Sequence, residues 1–425
     1  MSDAIWIAAL LFLIWPGLIA WRLPLVARLD LPARLAIAFV FGAATVVVLL
    51  YGYSFAHIPW TRMTVGIPLI VLGAFGVGDR RSRVSGQAGL PVLPLIPILV
   101  FALITIYGVA TARETCADLI YFWGPKAQHF HHAGKIDAEF LAFPHYYLMH
   151  PDYPPLLPLL YEWPSLVAHR FSWWGALFVT PIALLVIAFA FRGFAGNGWT
   201  ATLLTAIVAY GFAIGMVAGA ADPPLLLFEV VGIAALTFAG DQRDGQIIAA
   251  VALAAAAFTK VEGTVFLIVT LIAFLIVTRK LSRGLLIAVP SIVLLASWIV
   301  FSARNHMLDA YWNPSRKMHF EALGLIIVRT LQQASYGVGW VPWIGAIAPL
   351  AITRHLRRAA LPLLAAAGSV ASAIFFYLHS DNPAWWIDSS AMRVLLTPLA
   401  CLVVASGAGV VQSPGDGVVP QGKET

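Results

Sequence analysis

Apolar runs of close to helical-span length, separated by short polar breaks, recur along the whole chain. Stretches such as "AIWIAALLFLIWPGLIAW" and "TVFLIVTLIAFLIVT" approach or reach the roughly 18–20 apolar residues that carry a helix across the hydrocarbon of a bilayer. Laid end to end, the pattern predicts an all-α polytopic membrane protein with about thirteen transmembrane helices. They are read at 4–21, 34–55, 63–78, 91–110, 173–192, 199–218, 223–240, 246–259, 263–278, 285–303, 338–353, 359–378 and 394–411. The first run has no basic residues before it, only Asp3, and is long, so it is read as a retained span rather than a cleaved leader.

Three breaks are long or chemically mixed: 111–172, 304–337 and "HSDNPAWWIDSSAMR". Within the first, "YYLMHPDYPPLLPLLYEWPSLVAHRF" is apolar but studded with Pro, Tyr, Trp and His. Tyr and Trp favour the headgroup level, so this segment is expected to form one or two helices lying in the interface. The competing reading is a short true span at 155–170, which would reverse every later loop. Basic residues gather in "WRLPLVARLDLPAR", "DRRSRVSG", "TRKLSRG" and "RHLRR". Placing these four loops in the cytoplasm puts the N-terminus outside and the C-terminus inside, with most of the acids outside. The chain then divides into a three-span extension (1–90), a transmembrane core (91–411) and a Gly/Pro-rich cytoplasmic tail (412–425) expected to be disordered.

Composition agrees. The 425 residues are 60% hydrophobic and 11% charged, with a mean hydropathy of +0.86, whereas soluble domains carry about 25% charged residues. The net charge of +6 is spread over small clusters between spans, which does not make the continuous basic surface that nucleic acid requires. Two cysteines, Cys116 and Cys401, exclude a disulfide framework and are expected to be free thiols.

Against so apolar a background each ionisable group near lipid needs a reason, because burying one costs about 2.5–3.5 kcal/mol even on lenient scales. Asp118, Asp222, Lys260, Glu262 and Arg393 fall in four separate segments, all at the outer face of the layout above. Any one of them could simply reach up to the interface. Asp222 could also cap the helix that Pro223 begins, and Lys260 with Glu262 could be only a polar turn. Glu229, one or two turns deeper than Asp222, has no interface close by. Gathered in one pocket, a carboxylate suits a general base toward a hydroxyl, while Arg and Lys suit a phosphate. Trp123, Lys126, His150, Asp152 and Tyr153 are candidate lining residues. The H-x-H-H cluster of His129, His131 and His132, followed by His145 and His150, is weighed as a zinc site against ordinary polar contacts, and the latter reading is preferred.

Four motifs in order resemble a known superfamily. "D-x4-W-x2-K-A" at Asp118, Trp123, Lys126 and Ala127, continuing into "HPDYPPLLPLL", resembles the first outer loop of bacterial GT-C membrane glycosyltransferases. "AADPPLLLF" is similar to their second acidic motif, "FTKVEGTVFL" to their Thr-Lys-x-Glu-Gly turn, and "SSAMRVLLTPLA" to the Ser-x-x-Arg motif before the last core span. The similarity covers roughly residues 91–411 and looks most like the mannosyltransferase and aminoarabinose-transferase group. It implies an inverting enzyme that moves a sugar from a polyprenyl-phosphate donor to a hydroxyl acceptor (lipid, glycan or protein) on the outer side of the bacterial inner membrane. By that analogy Asp118 is the base, Asp222 assists, and Lys260 and Arg393 steady the departing phosphate. Asp152 competes for the base role. No cofactor is obligatory, though the carboxylates leave room for a divalent cation.

The rival from another class is a multi-pass transporter or flippase of a lipid-linked or small anionic substrate. Transporters tend to place charge at the bilayer midplane between paired halves. Glu229 favours that rival; the clustering at one face does not.

Overall fold

The computed structural model describes residues 2–77, 117–143, 149–195, 218–307, 317–352 and 356–410. All regular structure among them is helical. Among the described residues, eight helices are long and apolar enough to cross a membrane. The spans expected at 91–110 and almost all of 199–218, the basic loop "DRRSRVSG" and the tail lie outside the described residues.

The N-terminal part comprises α1 (Ser2–Leu11), α2 (Leu31–Phe55) and α3 (Arg62–Val77). Between α1 and α2 the chain kinks through short helical turns at Ile14–Gly17, Leu18–Arg22 and Pro24–Arg28. Asp30 then caps α2 by accepting from Ala33 N at 3.1 Å, ahead of Pro32 in the first turn. Next come α4 (Gly124–Ala133), closed by the left-handed Gly134, α5 (Leu156–Ala168) and α6 (Val179–Ala195). The hairpin of α7 (Asp222–Ala239) and α8 (Arg243–Ala257) leads to α9 (Val261–Thr278) and α10 (Leu281–Arg304). The last group is α11 (Leu323–Gln332), α12 (Trp340–Ile352), α13 (Leu356–Leu378), α14 (Pro383–Val394) and α15 (Leu396–Val410).

Helix α7 is the axis. It packs against α6, α8, α9, α13 and α15, and 89% of its apolar window is buried. The alanine run of α8 allows that close approach, small side chains letting two backbones meet. By contrast α9, α10 and α13 bury only about a third of theirs and turn rows of Ile, Leu and Val outward, as lipid-facing helices do.

Three expectations change. The short span read at 246–259 is the buried helix α8, of 15 residues, while that at 338–353 falls on α12, which continues the helical backbone that begins at Leu323. "HSDNPAWWIDSSAMR" is not a loop. Asn382 accepts from Trp385 N, Pro383 opens α14, and the helix runs on into the last span as one 26-residue candidate, Pro383–Ala408. In 111–172, α5 is too short to be a span, but it does not expose one face as an interfacial helix would. Residues Leu156 to Leu166 are all buried, covered by α1, α2 and α4. Trp163 and Trp6 fasten this contact through bonds to Ala9 O and Ser165 Oγ, and Asp3 binds both Arg170 and Ser172. The N-terminal helices are therefore the cover of α5.

The hairpins give the bundle two ends. Leu25 N donates to Asp244, and Arg283 and Lys280 pair with Asp241, so two of the basic loops meet at one end. The start of α7 and the α8–α9 turn lie at the other.

Helix α2 crosses the first kink with almost no gap. A Cβ on Gly17 would lie 1.6 Å from Ala38 O, and one on Gly42 would lie 1.7 Å from Leu13 O. Gly42→Val should therefore lower the apparent melting temperature in detergent by several degrees, overpacking costing on the order of 1–3 kcal/mol or more. Gly52→Ala on the same helix, where a Cβ meets nothing within 4 Å, should not.

Candidate functional site

At the end of the bundle away from the basic loops, four segments distant in sequence bring charged groups together. Asp222 is the first residue of α7, and its carboxylate does not cap that helix. Instead Arg393, at the foot of α14, donates to Asp222 Oδ2 at 3.3 Å and to Asp118 Oδ2 at 2.7 Å through the same nitrogen. Lys260, extended at the N-cap of α9, reaches Asp222 Oδ1 at 3.4 Å and Glu262 Oε1 at 3.0 Å. Burial works against the charge on Lys260, but the carboxylates of Asp222 and Glu262 outweigh it and push its pKa up. Glu262 Oε2 is buried and has no hydrogen-bond partner among the described residues. The five groups form one chain, Asp118–Arg393–Asp222–Lys260–Glu262. All five were singled out from sequence, and the simple-interface and polar-turn readings do not describe them.

A second group lies beside the first. Asp118 is followed by a π-helical turn, Leu119–Trp123, that leads into α4. Trp123 and Lys126 are each only 2% exposed, and the Lys126 Nζ sits 5.1 Å from the Trp123 ring. Lys126 donates to His150 O at 2.5 Å. His150 itself is held in the left-handed region at φ 51°, a strained place for a residue other than glycine. Its ring stacks on Tyr153 with centroids 4.4 Å apart. Asp152 belongs to this group, close enough to Lys126 to favour its charge, and its carbonyl accepts from Trp298 Nε1 at 2.6 Å. Leu156 N donates to Phe258 O, tying the segment to the α8–α9 turn. Burial, with the charges of Lys126 and Lys260, lowers the His150 pKa to about 3, so its ring is neutral. Burial likewise lowers that of Lys126 to about 7, with Asp152 opposing.

The histidine cluster disperses. His129 stacks on Phe140, His132 bonds to Gln128 O within its own helix, and His131 meets the buried Glu162 at 3.0 Å, which raises its pKa. His145 and Cys116 lie outside the described residues; Cys401 is a buried free thiol. Among the described residues no three His, Cys, Asp or Glu side chains are arranged to hold a metal ion.

Three participants gave no sequence signal. Tyr377 on α13 lies within electrostatic reach of Glu262, Arg393 and Lys260, and its hydroxyl meets Ser390 Oγ at 3.1 Å, one turn before Arg393. Trp298 holds Asp152. Thr397 donates to Glu229 at 2.7 Å. A hydroxyl or an indole in an apolar helix looks like any other core residue until its partner is known. The chain matches no protein-family model, no curated protein and no solved structure.

The buried lysine has a measurable signature. Between its folded value of about 7 and the ordinary 10.5, the unfolded chain binds a proton that the folded chain lacks. Stability should therefore rise with pH across that window and be flat, for this group, below it. Lys126→Met should remove that part of the rise when thermal unfolding is followed between about pH 7 and about pH 10. Equal slopes in the two proteins would show that Lys126 keeps its charge.

Proposed function

We propose that the chain is an inverting glycosyltransferase of the GT-C type, taking a sugar from a polyprenyl-phosphate donor and passing it to a hydroxyl acceptor. The observation that carries this reading is the Arg393 guanidinium shared between Asp118 and Asp222, with Lys260 one contact further on. A site with two cations and adjacent carboxylates, at one end of an apolar bundle, suits a substrate that is lipid at one end and phosphate-linked sugar at the other. By the charge rule that end faces outward, away from the cytoplasm.

In the proposed reaction the acceptor oxygen attacks the anomeric carbon as the bond from that carbon to the phosphate oxygen breaks. The lipid phosphate leaves with the bonding pair and needs no proton. The hydroxyl proton passes to Asp118, the one base the step requires. Arg393 and Lys260 hold the phosphate oxygens, Arg as a planar fork and Lys as a point charge. Asp222 aligns both cations. Trp123, Lys126, His150 and Tyr153 brace the segment over the site, with Asp152 beside them.

A transporter of a lipid-linked anion is the second reading. It draws on Glu229, 2% exposed within α7. The two readings part on chemistry: an enzyme releases free polyprenyl phosphate from donor, and a transporter does not.

Purified protein given a polyprenyl-phosphate sugar and a pool of candidate acceptors should release polyprenyl phosphate. Asp118→Asn should lower that release by a factor on the order of 10²–10⁴, with donor binding retained. Full turnover in this variant would transfer the base role to Asp152. Arg393→Ala should weaken donor binding by roughly ten- to a hundredfold, as expected for a lost charge-assisted bond.

A further inference from the structure

Helix α7 meets the α14–α15 pair at two heights. Nearer the end of the bundle, Asp222 pairs with Arg393 at 3.3 Å. About two turns further in, Glu229 Oε2 accepts the Thr397 hydroxyl at 2.7 Å. Between Arg393 and Thr397 the helix runs on through Leu395, which keeps helical dihedrals and donates its N–H to Ala391 O at 2.8 Å, but the next carbonyl, Val394 O, receives no helical bond. Pro398 accounts for the missing bond, having no N–H to give to Val394 O. With that bond absent, backbone hydrogen bonding alone holds the Arg393 turn to α15 less tightly than in a helix without proline. Thr397 immediately precedes Pro398, and Glu229 comes from a helix whose apolar window is 89% buried. One turn before Arg393, Ser390 of the same segment meets the hydroxyl of Tyr377 from α13 at 3.1 Å.

We infer that Glu229 and Thr397 form a strut beside Pro398 that sets where Arg393 stands, so that Glu229 is a positioning residue for the ion cluster and not a proton carrier. The inference rests on the reading of that cluster as a phosphate site only for its functional consequence. The geometry requires a hydrogen bond between the two side chains, not a titrating proton. Glutamine at 229 can still accept from Thr397, and serine at 397 can still donate.

The test uses the full-length protein in nanodiscs, with farnesyl phosphate as the probe in calorimetry. In parallel, nitroxide labels at the exposed positions 242 and 385 report the distance from the far end of α7 to α14. Thr397→Val and Glu229→Leu should each weaken farnesyl phosphate binding roughly tenfold, the worth of one buried hydrogen bond with its desolvated partner, and should broaden the distance distribution. Thr397→Ser and Glu229→Gln should stay within about twofold of the parent in affinity and keep its narrow distribution. If the parent does not bind farnesyl phosphate, the phosphate reading fails, and the distance measurement still decides the strut. Thr397→Val with an unchanged distance distribution overturns the inference. So does Glu229→Gln as damaging as Glu229→Leu, which is the result a proton carrier gives.

Discussion

The rest of the site depends on one guanidinium. An arginine at the edge of an apolar bundle must find counter-charge, since leaving it unpaired near lipid costs a large share of a protein's usual margin of stability. Arg393 finds it twice, in Asp118 and Asp222. Those two contacts join α14 to the start of the loop helices and to the central helix α7, and Lys260 extends the connection to α9. Three carboxylates and two cations, drawn from four segments, hold one another in place. The positions of α4 and of the segment from His150 to Leu156 follow from this and from the Lys126 and Trp298 bonds.

The N-terminal helices take their place from a different requirement. Helix α5 carries eleven consecutive buried residues, more than a one-sided helix can hide against a single neighbour. α1 and α2 supply the missing walls, and the indoles of Trp6 and Trp163 find their acceptors across that contact.

The sequence was most legible where chemistry was out of keeping with its surroundings. Asp118, Asp222, Lys260, Glu262 and Arg393 are conspicuous because an apolar chain has so few charges, and the structure brings all five together. Eight of the runs that fall within the described residues coincide with helices long and apolar enough to cross a membrane, whereas α8 is a short helix enclosed by neighbours that a hydropathy pattern does not name. The segment before Arg393 stands out in the hydropathy pattern only as a polar break between two spans, although Asn382 followed by Pro383 is a helix start. The burial of α5 was hidden for a similar reason: its cover lies more than a hundred residues earlier in the chain. Thr397, Tyr377 and Trp298 were invisible because hydrogen-bond partners far apart in sequence leave no local mark.

The Arg393 bridge also bears on how the proposed donor would enter. Each cation already has anionic companions within the protein: Asp118 and Asp222 around Arg393, Asp222 and Glu262 around Lys260. An incoming phosphate would not fill a vacant cradle; it would trade places with a resident carboxylate. If it displaces Asp118 from the guanidinium, arrival of the donor is itself what leaves that carboxylate at liberty to accept a proton. Substrate exchange and arming of the base would then be a single event.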